Sequence, residues 1–94
     1  MGQPDRAHIE GTIKNLLVTD LEADPRVIAS ADTCTPLLGR GIGLDSIEAL
    51  RLALGLEKAY DIRIPDAELT VELFGSLGAL VDYVQGKIRG PKEG

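Results

Sequence analysis

Aliphatic residues recur along this chain at helical spacing, and no run of branched residues alternates with polar ones for the length of a strand. Ile9, Ile13, Leu16 and Leu17 stand at i, i+4, i+7 and i+8, and Leu77, Leu80, Val81, Val84 and Ile88 at i, i+3, i+4, i+7 and i+11. Each set is one stripe of a 3.6-residue period, and such a stripe is stable only when it packs against another. The chain is therefore expected to be all-α. Its 94 residues suit a single domain over 1–94, near the small end of what builds its own core, burying roughly 60–65% of its unfolded surface.

The pattern predicts three main helices. The first runs from about Asp5 to Val18, with Asp5 where the helix dipole favours negative charge. Gly11 within it costs about 1 kcal/mol relative to Ala. The second runs from Asp45 to about Tyr60, opened by Asp45 and Glu48 at the N-cap and N3 positions of a capping box. The last follows Gly75 and Ser76. A short helical piece, Asp66 to Leu69, is expected after Pro65, a good first-turn residue. Between Asp20 and Leu44, Pro25, Pro36, Gly39, Gly41 and Gly43 interrupt every period. Those residues are expected to form one long loop, pinned to the core by Val27 and Ile28 and again by Leu37 and Leu38. The ordered core should span about 5–89, with 90–94 a flexible tail.

Composition removes several chemistries. One His (His8) and one Cys (Cys34) supply no zinc ligand set. His8, expected on a frayed first turn, is a poor base for a nucleophilic triad. A single Cys forms no internal disulfide, which suits a reducing compartment. Residues 1–10 hold no apolar run of a secretion signal, and the longest apolar runs are far too short to span a bilayer. At a net charge of −5, contact with nucleic acid phosphates is unfavourable, and basic partners are favoured at encounter.

The stretch from Asp45 to Tyr60 carries the most information. Ala49, Leu52, Ala53, Leu56 and Tyr60 form one stripe, assigned to the core. Ile47, Leu50 and Leu54 form a second, roughly 100–160° around the axis from Ala49, flanked by Arg51 and Lys58. A helix apolar on two sides is either wholly buried or meets something besides its own core. Ser46, the first residue after the cap, stands where unpaired N–H groups and the dipole favour an anion. It is either a plain helix-start serine or a place for a phosphate ester. The glycines at 39, 41 and 43 lack the preceding strand and the Gly-Lys-Ser/Thr of a phosphate loop, and serve instead to turn the chain sharply into the helix.

At Gly43-Leu44-Asp45-Ser46-Ile47-Glu48 the chain resembles the phosphopantetheine attachment motif of acyl carrier proteins. Leu56 to Asp66 resembles that family's passage from its second helix into an Ile-Pro-Asp turn, Val81 to Val84 its last helix, and Ile9 to Leu21 its first. The likeness spans about Ile9 to Lys87. It implies a four-helix bundle with three main helices, a short third helix and a long loop between the first two. It implies 4′-phosphopantetheine on Ser46, installed from coenzyme A by a phosphopantetheinyl transferase, with Asp45 as motif neighbour and cap. The arm's thiol would hold an acyl group as a thioester while the protein itself catalyses nothing.

Partners would meet Ile47, Glu48, Leu50, Arg51 and Leu54. They would be acyl-transferring or condensing enzymes of fatty acid, polyketide or specialised lipid synthesis, or, for an aminoacyl or D-alanyl cargo, an adenylating ligase. A cytoplasmic monomer, without membrane insertion or nucleic acid, is the expected form. Two features depart from the family. Asp45 to Asp61 holds Asp45, Glu48, Glu57 and Asp61 against Arg51 and Lys58, a weak acidic field, with Arg51 where many fatty-acid carriers have an acid. Generic fatty-acid synthase enzymes should therefore dock poorly. The small Ala49, Ala53 and Gly55 leave either room for a carried chain or space that neighbours fill.

Overall fold

The computed structural model describes residues 5–39 and 41–89. Helix α1 spans Arg6–Thr19, α2 Pro25–Ser30, α3 Ser46–Tyr60 and α4 Leu77–Arg89, with one 3-10 turn at Asp66–Glu68. No strand occurs among the described residues. The tail assigned to 90–94 lies outside them.

Each helix starts on a side chain that relieves its unpaired N–H groups. Asp5 accepts from His8 N–H at 2.9 Å, Asp24 from Arg26 N–H at 2.9 Å, and Ser76 Oγ from Ala79 N–H at 3.1 Å. The α3 box is reciprocal: Glu48 N–H donates to Asp45 Oδ1 at 2.8 Å, and Asp45 N–H donates to Glu48 Oε1 at 3.1 Å. Helix α3 ends on Asp61 in the left-handed conformation.

The packing follows the predicted stripes. Helix α1 contacts α2, α3 and α4, so its buried Ile9, Ile13 and Leu17 form the hub. Around them lie Ala49, Leu52, Ala53 and Leu56 of α3, and Leu77, Leu80, Val81 and Val84 of α4. Leu16, Tyr60 and Ile88, placed on the stripes, are only partly buried. Burying each large aliphatic contributes about 1.5–3 kcal/mol.

The region read as a continuous loop is corrected by α2. Six residues are too few to show a period, although Asp24 followed by Pro25 is a cap with proline at the first helical position. The two pinning points are Ile28 and Leu37, both buried; Val27 is exposed and Leu38 half-buried. His8 is not frayed either. Its Nδ1 lies 3.0 Å from the Tyr60 hydroxyl, which donates to Thr12 Oγ1 at 2.7 Å.

The rest of the long connection is fastened through its backbone. Leu77 N–H donates to Thr35 O and Gly78 N–H to Thr33 O, both at 2.9 Å, so loop carbonyls satisfy the front of α4. Leu37 N–H donates to Phe74 O at 3.2 Å, and Leu44 N–H to Leu37 O at 2.9 Å. Gly41, at φ 72°, lets the chain double back so closely that a Cβ there would sit 2.4 Å from Pro36 O. The glycine run is thus a tight return that delivers Leu44 and Asp45 to the head of α3.

Candidate functional site

Asp45 and Ser46 lie at the exposed head of α3. The Asp45 carboxylate is engaged by Glu48 N–H, and the Glu48 carboxylate by Asp45 N–H. Among the described residues the Ser46 hydroxyl has no hydrogen-bond partner, and the N–H groups of Ser46 and Ile47 have none either. Among the described residues the Ser46 oxygen is therefore unpartnered, in a place where outward N–H dipoles favour an anion.

The second stripe of α3 is exposed, so the helix is not wholly buried. Ile47 is 69% exposed, Leu50 45% and Leu54 49%, and Val71, 72% exposed, adds to them from the connection before α4. Arg51 and Lys58 lie roughly 40° and 20° around the axis from Ile47, at about 100° per residue. The Arg51 guanidinium leans toward α1 and donates to Asp20 O at 3.2 Å, holding the carboxyl end of that helix.

Beside Ser46 opens a cleft of about 170 Å³, lined chiefly by Leu38, Ala49, Leu50, Leu69, Val71 and Phe74. A second cleft, about 530 Å³, runs along the far half of α3 between Ala53, Leu54 and Glu57 on one side and Ile62 to Asp66 on the other. Leu50 and Leu69 border both. The small α3 residues therefore act differently from one another. Ala49 and Ala53 open onto clefts, whereas a Cβ at Gly55 would meet two Leu16 methyl groups at 3.3 Å, so neighbours fill that space.

Sequence reasoning missed the outer wall of these clefts. Leu69 was placed only as the end of the short helical piece expected after Pro65, which the 3-10 turn stops one residue short of, and Thr70 and Val71 carry no helical period. It also missed the ties on Glu68. Its carboxylate accepts a hydrogen bond from the Tyr83 hydroxyl and pairs with Lys87 Nζ at 3.1 Å, while Lys87 lies 5.5 Å from the Tyr83 ring centroid. The hydrogen bond from Tyr83, with Lys87 second, holds the Glu68 carboxyl below its ordinary 4.5. Burial, then the bond to Glu68, pushes the Tyr83 hydroxyl well above its ordinary 10.0.

The described residues contain no group of three metal-ligating side chains, and no described helix is long and apolar enough to cross a membrane. Cys34 is exposed and unpaired.

Comparison with known proteins agrees with this geometry. The family described as "Phosphopantetheine attachment site" matches residues 11–84. The acyl carrier protein of Onion yellows phytoplasma (strain OY-M) is 36% identical over 72 residues, covering 77% of this chain and 87% of that protein. That of Amoebophilus asiaticus (strain 5a2) is 29% identical over 75 residues, covering 79% and 91%. Among solved structures, an engineered Bradyrhizobium japonicum glycine:[carrier protein] ligase complexed with a carrier protein from Agrobacterium tumefaciens and ATP contains a similar chain. It superposes with a TM-score of 0.68 at 30% identity, over 83% of this chain and 97% of that one.

Proposed function

The chain belongs to the phosphopantetheine-attachment family of acyl carrier proteins, which carry and do not catalyse, and on that premise we propose that Ser46 bears the arm and α3 presents it. The observation that carries this reading is the free Ser46 hydroxyl at a helix start already capped by its neighbour. With Asp45 and Glu48 bonded to each other, two N–H groups face outward toward a phosphodiester on Ser46. Once attached, 4′-phosphopantetheine supplies a thiol that holds the cargo as a thioester.

The protein's own contribution is to position and to dock. The capping box fixes the first turn, so the Ser46 oxygen has one direction relative to the exposed Ile47, Leu50 and Leu54. These three, with Arg51 and Glu48 at the margin, form the face offered first to a phosphopantetheinyl transferase and then to the enzymes that load and unload the arm. The chain works as one carrier domain, a monomer between encounters, in the cytoplasm. Two cargo readings follow. The curated relatives support an acyl group of fatty acid, polyketide or specialised lipid synthesis. The likeness to a chain crystallised with a glycine:[carrier protein] ligase supports an aminoacyl group supplied by an adenylating ligase, and Arg51, a cation that repels the basic docking surface of a generic fatty-acid synthase enzyme, favours a dedicated enzyme.

Intact mass after incubation with coenzyme A and a broad-specificity phosphopantetheinyl transferase tests the attachment. One phosphopantetheine on the wild type and none on Ser46→Ala is the expected result; a folded wild type that gains none refutes it. The modified protein, offered in parallel to a fatty-acid transacylase and to the glycine ligase, then separates the cargoes. If Arg51→Glu leaves loading by the transacylase unchanged, the docking argument for Arg51 fails.

A further inference from the structure

The cations of this protein divide by place. Arg6, Lys14, Arg26 and Lys87, on α1, α2 and α4, each pair with a carboxylate. Arg51 and Lys58 of α3, and Arg63 just beyond it, are exposed and, among the described residues, pair with none. The carboxylates of α3 and its cap are spent on backbone instead. Asp45 accepts from Glu48 N–H, Glu48 from Asp45 N–H, and the half-buried Glu57 from Ile64 N–H at 2.7 Å. Asp61 and Asp66, exposed nearby, pair with none of the three cations.

The unpaired charges stand in register with the exposed apolar residues. Ile47, Arg51, Leu54 and Lys58 fall at i, i+4, i+7 and i+11, so apolar and cationic side chains alternate down one line of the helix. The two cations are about 10 Å apart along it, at about 1.5 Å per residue. Arg63 borders the same cleft as Leu54 and extends the positive edge past the helix end. The helix dipole favours a cation at Lys58, in the last turn, but not at Arg51 in the second turn or at Arg63 outside the helix. The bond from Arg51 to Asp20 O leaves most of its guanidinium donors unused.

A net charge of −5 draws basic molecules from a distance, yet contact at this face presses a basic surface onto unpaired cations. Like charges brought together select against a partner, and opposite charges fix its register. We propose that the enzyme serving this carrier docks through an acidic surface, with carboxylates about 10 Å apart on Arg51 and Lys58, interleaved with apolar side chains on Ile47 and Leu54. This rests on the carrier reading above.

A charge swap tests it, at about 0.15 M salt, where charges farther apart than about 8 Å are largely screened. The probes are a fatty-acid transacylase with a basic docking surface and the same enzyme with those docking lysines and arginines changed to glutamate. Both are first matched for acyl transfer to free pantetheine. The native carrier is expected to be loaded with higher kcat/KM by the acidic enzyme than by the basic one. Lys58→Glu, which breaks no hydrogen bond of the fold, should move that preference toward the basic enzyme by up to about fivefold, the scale of one exposed charge pair. Arg51→Glu should act in the same direction, and the double variant further. Arg26→Glu makes the same change of net charge on α2 and should leave the preference as in the wild type. A native carrier that prefers the basic enzyme, or a Lys58→Glu shift no larger than that of Arg26→Glu, overturns the proposal. If Ser46 takes no arm, intact mass shows it and the carrier reading fails. The amide shifts that each enzyme induces at 47–58 of the unmodified protein then judge the surface alone, and larger shifts from the basic enzyme overturn it.

Discussion

Replacing Asp45 separates its two suggested uses, because one substitution removes the cap and another removes only the charge. In Asp45→Ala the 2.8 Å bond from Glu48 N–H to the side chain is lost, and only the backbone N–H of residue 45 still donates to Glu48. An N-cap carboxylate replaced by Ala costs about 0.5–2 kcal/mol, and this cap is a complete box on a 15-residue helix, so a value of about 1.5 kcal/mol is expected. For a domain of this length each kcal/mol moves Tm by about 4–8 °C, giving a fall of roughly 6–12 °C. Asparagine caps as well as aspartate, so Asp45→Asn should lose only the charge–dipole part, about 0.3–1 kcal/mol. Urea unfolding at constant slope, with thermal melts alongside, measures both. Attachment of phosphopantetheine in the two variants then reads the other use: loss in Asn at near-native stability assigns the carboxylate a role at Ser46, while retention leaves it a cap. A melt for Asp45→Ala within about 2 °C of the wild type, or equal losses in Ala and Asn, refutes the capping argument.

Gly78→Ala brings a methyl to 2.9 Å from Thr33 O and 3.1 Å from Thr33 Cβ; overpacking of about 1–3 kcal/mol outweighs the helix propensity gained, so a net loss of about 1 kcal/mol is expected in urea unfolding, with faster exchange at Leu77 and position 78. Because the Tyr83 hydroxyl is raised above 10.0, its neutral form is the one the fold favours, and that contribution is complete below pH 10 and lost only as pH climbs through the higher native value. Phenolate absorbance of the wild type minus Tyr83→Phe should therefore show Tyr83 still largely protonated at pH 10. The lowered Glu68 carboxyl works in the opposite sense: its contribution is present above 4.5 and is lost as pH falls through the lower native value. Exchange protection of residues 65–72 should accordingly persist at pH 4.5 and fade only in stronger acid.

The elements legible in the sequence were those with a local cause. Asp45 with Glu48 announces a helix start by itself, and two apolar stripes on one helix announce an outward face. The structure realises both, with Leu52 and Leu56 fully buried and Ile47 exposed. Helix α2 escaped because six residues between proline and turn residues carry no period, though its Asp-Pro start was readable. Gly55 left two readings open for a different reason. A missing side chain implies space, but the Leu16 methyls that occupy it come from a helix far away in sequence. The ties on Glu68 were equally hidden, since nothing at position 68 says that Tyr83 and Lys87 will meet it. Contacts that depend on the angle between two elements are set by the packed whole, not by either segment.

The relay of backbone bonds from Leu44 to Leu37 and from Leu37 to Phe74 has a consequence for how the head of α3 meets another molecule. Leu44 lies two residues before Ser46, so the serine stands on a mount braced against the approach to α4 rather than on a loose end. Freezing floppy side chains and loops at contact costs affinity; a braced mount has little of that motion left to lose. All the reach needed to move between several enzymes then resides in the attached arm, and the protein behaves toward each of them as a solid handle whose grip and direction are settled before the encounter.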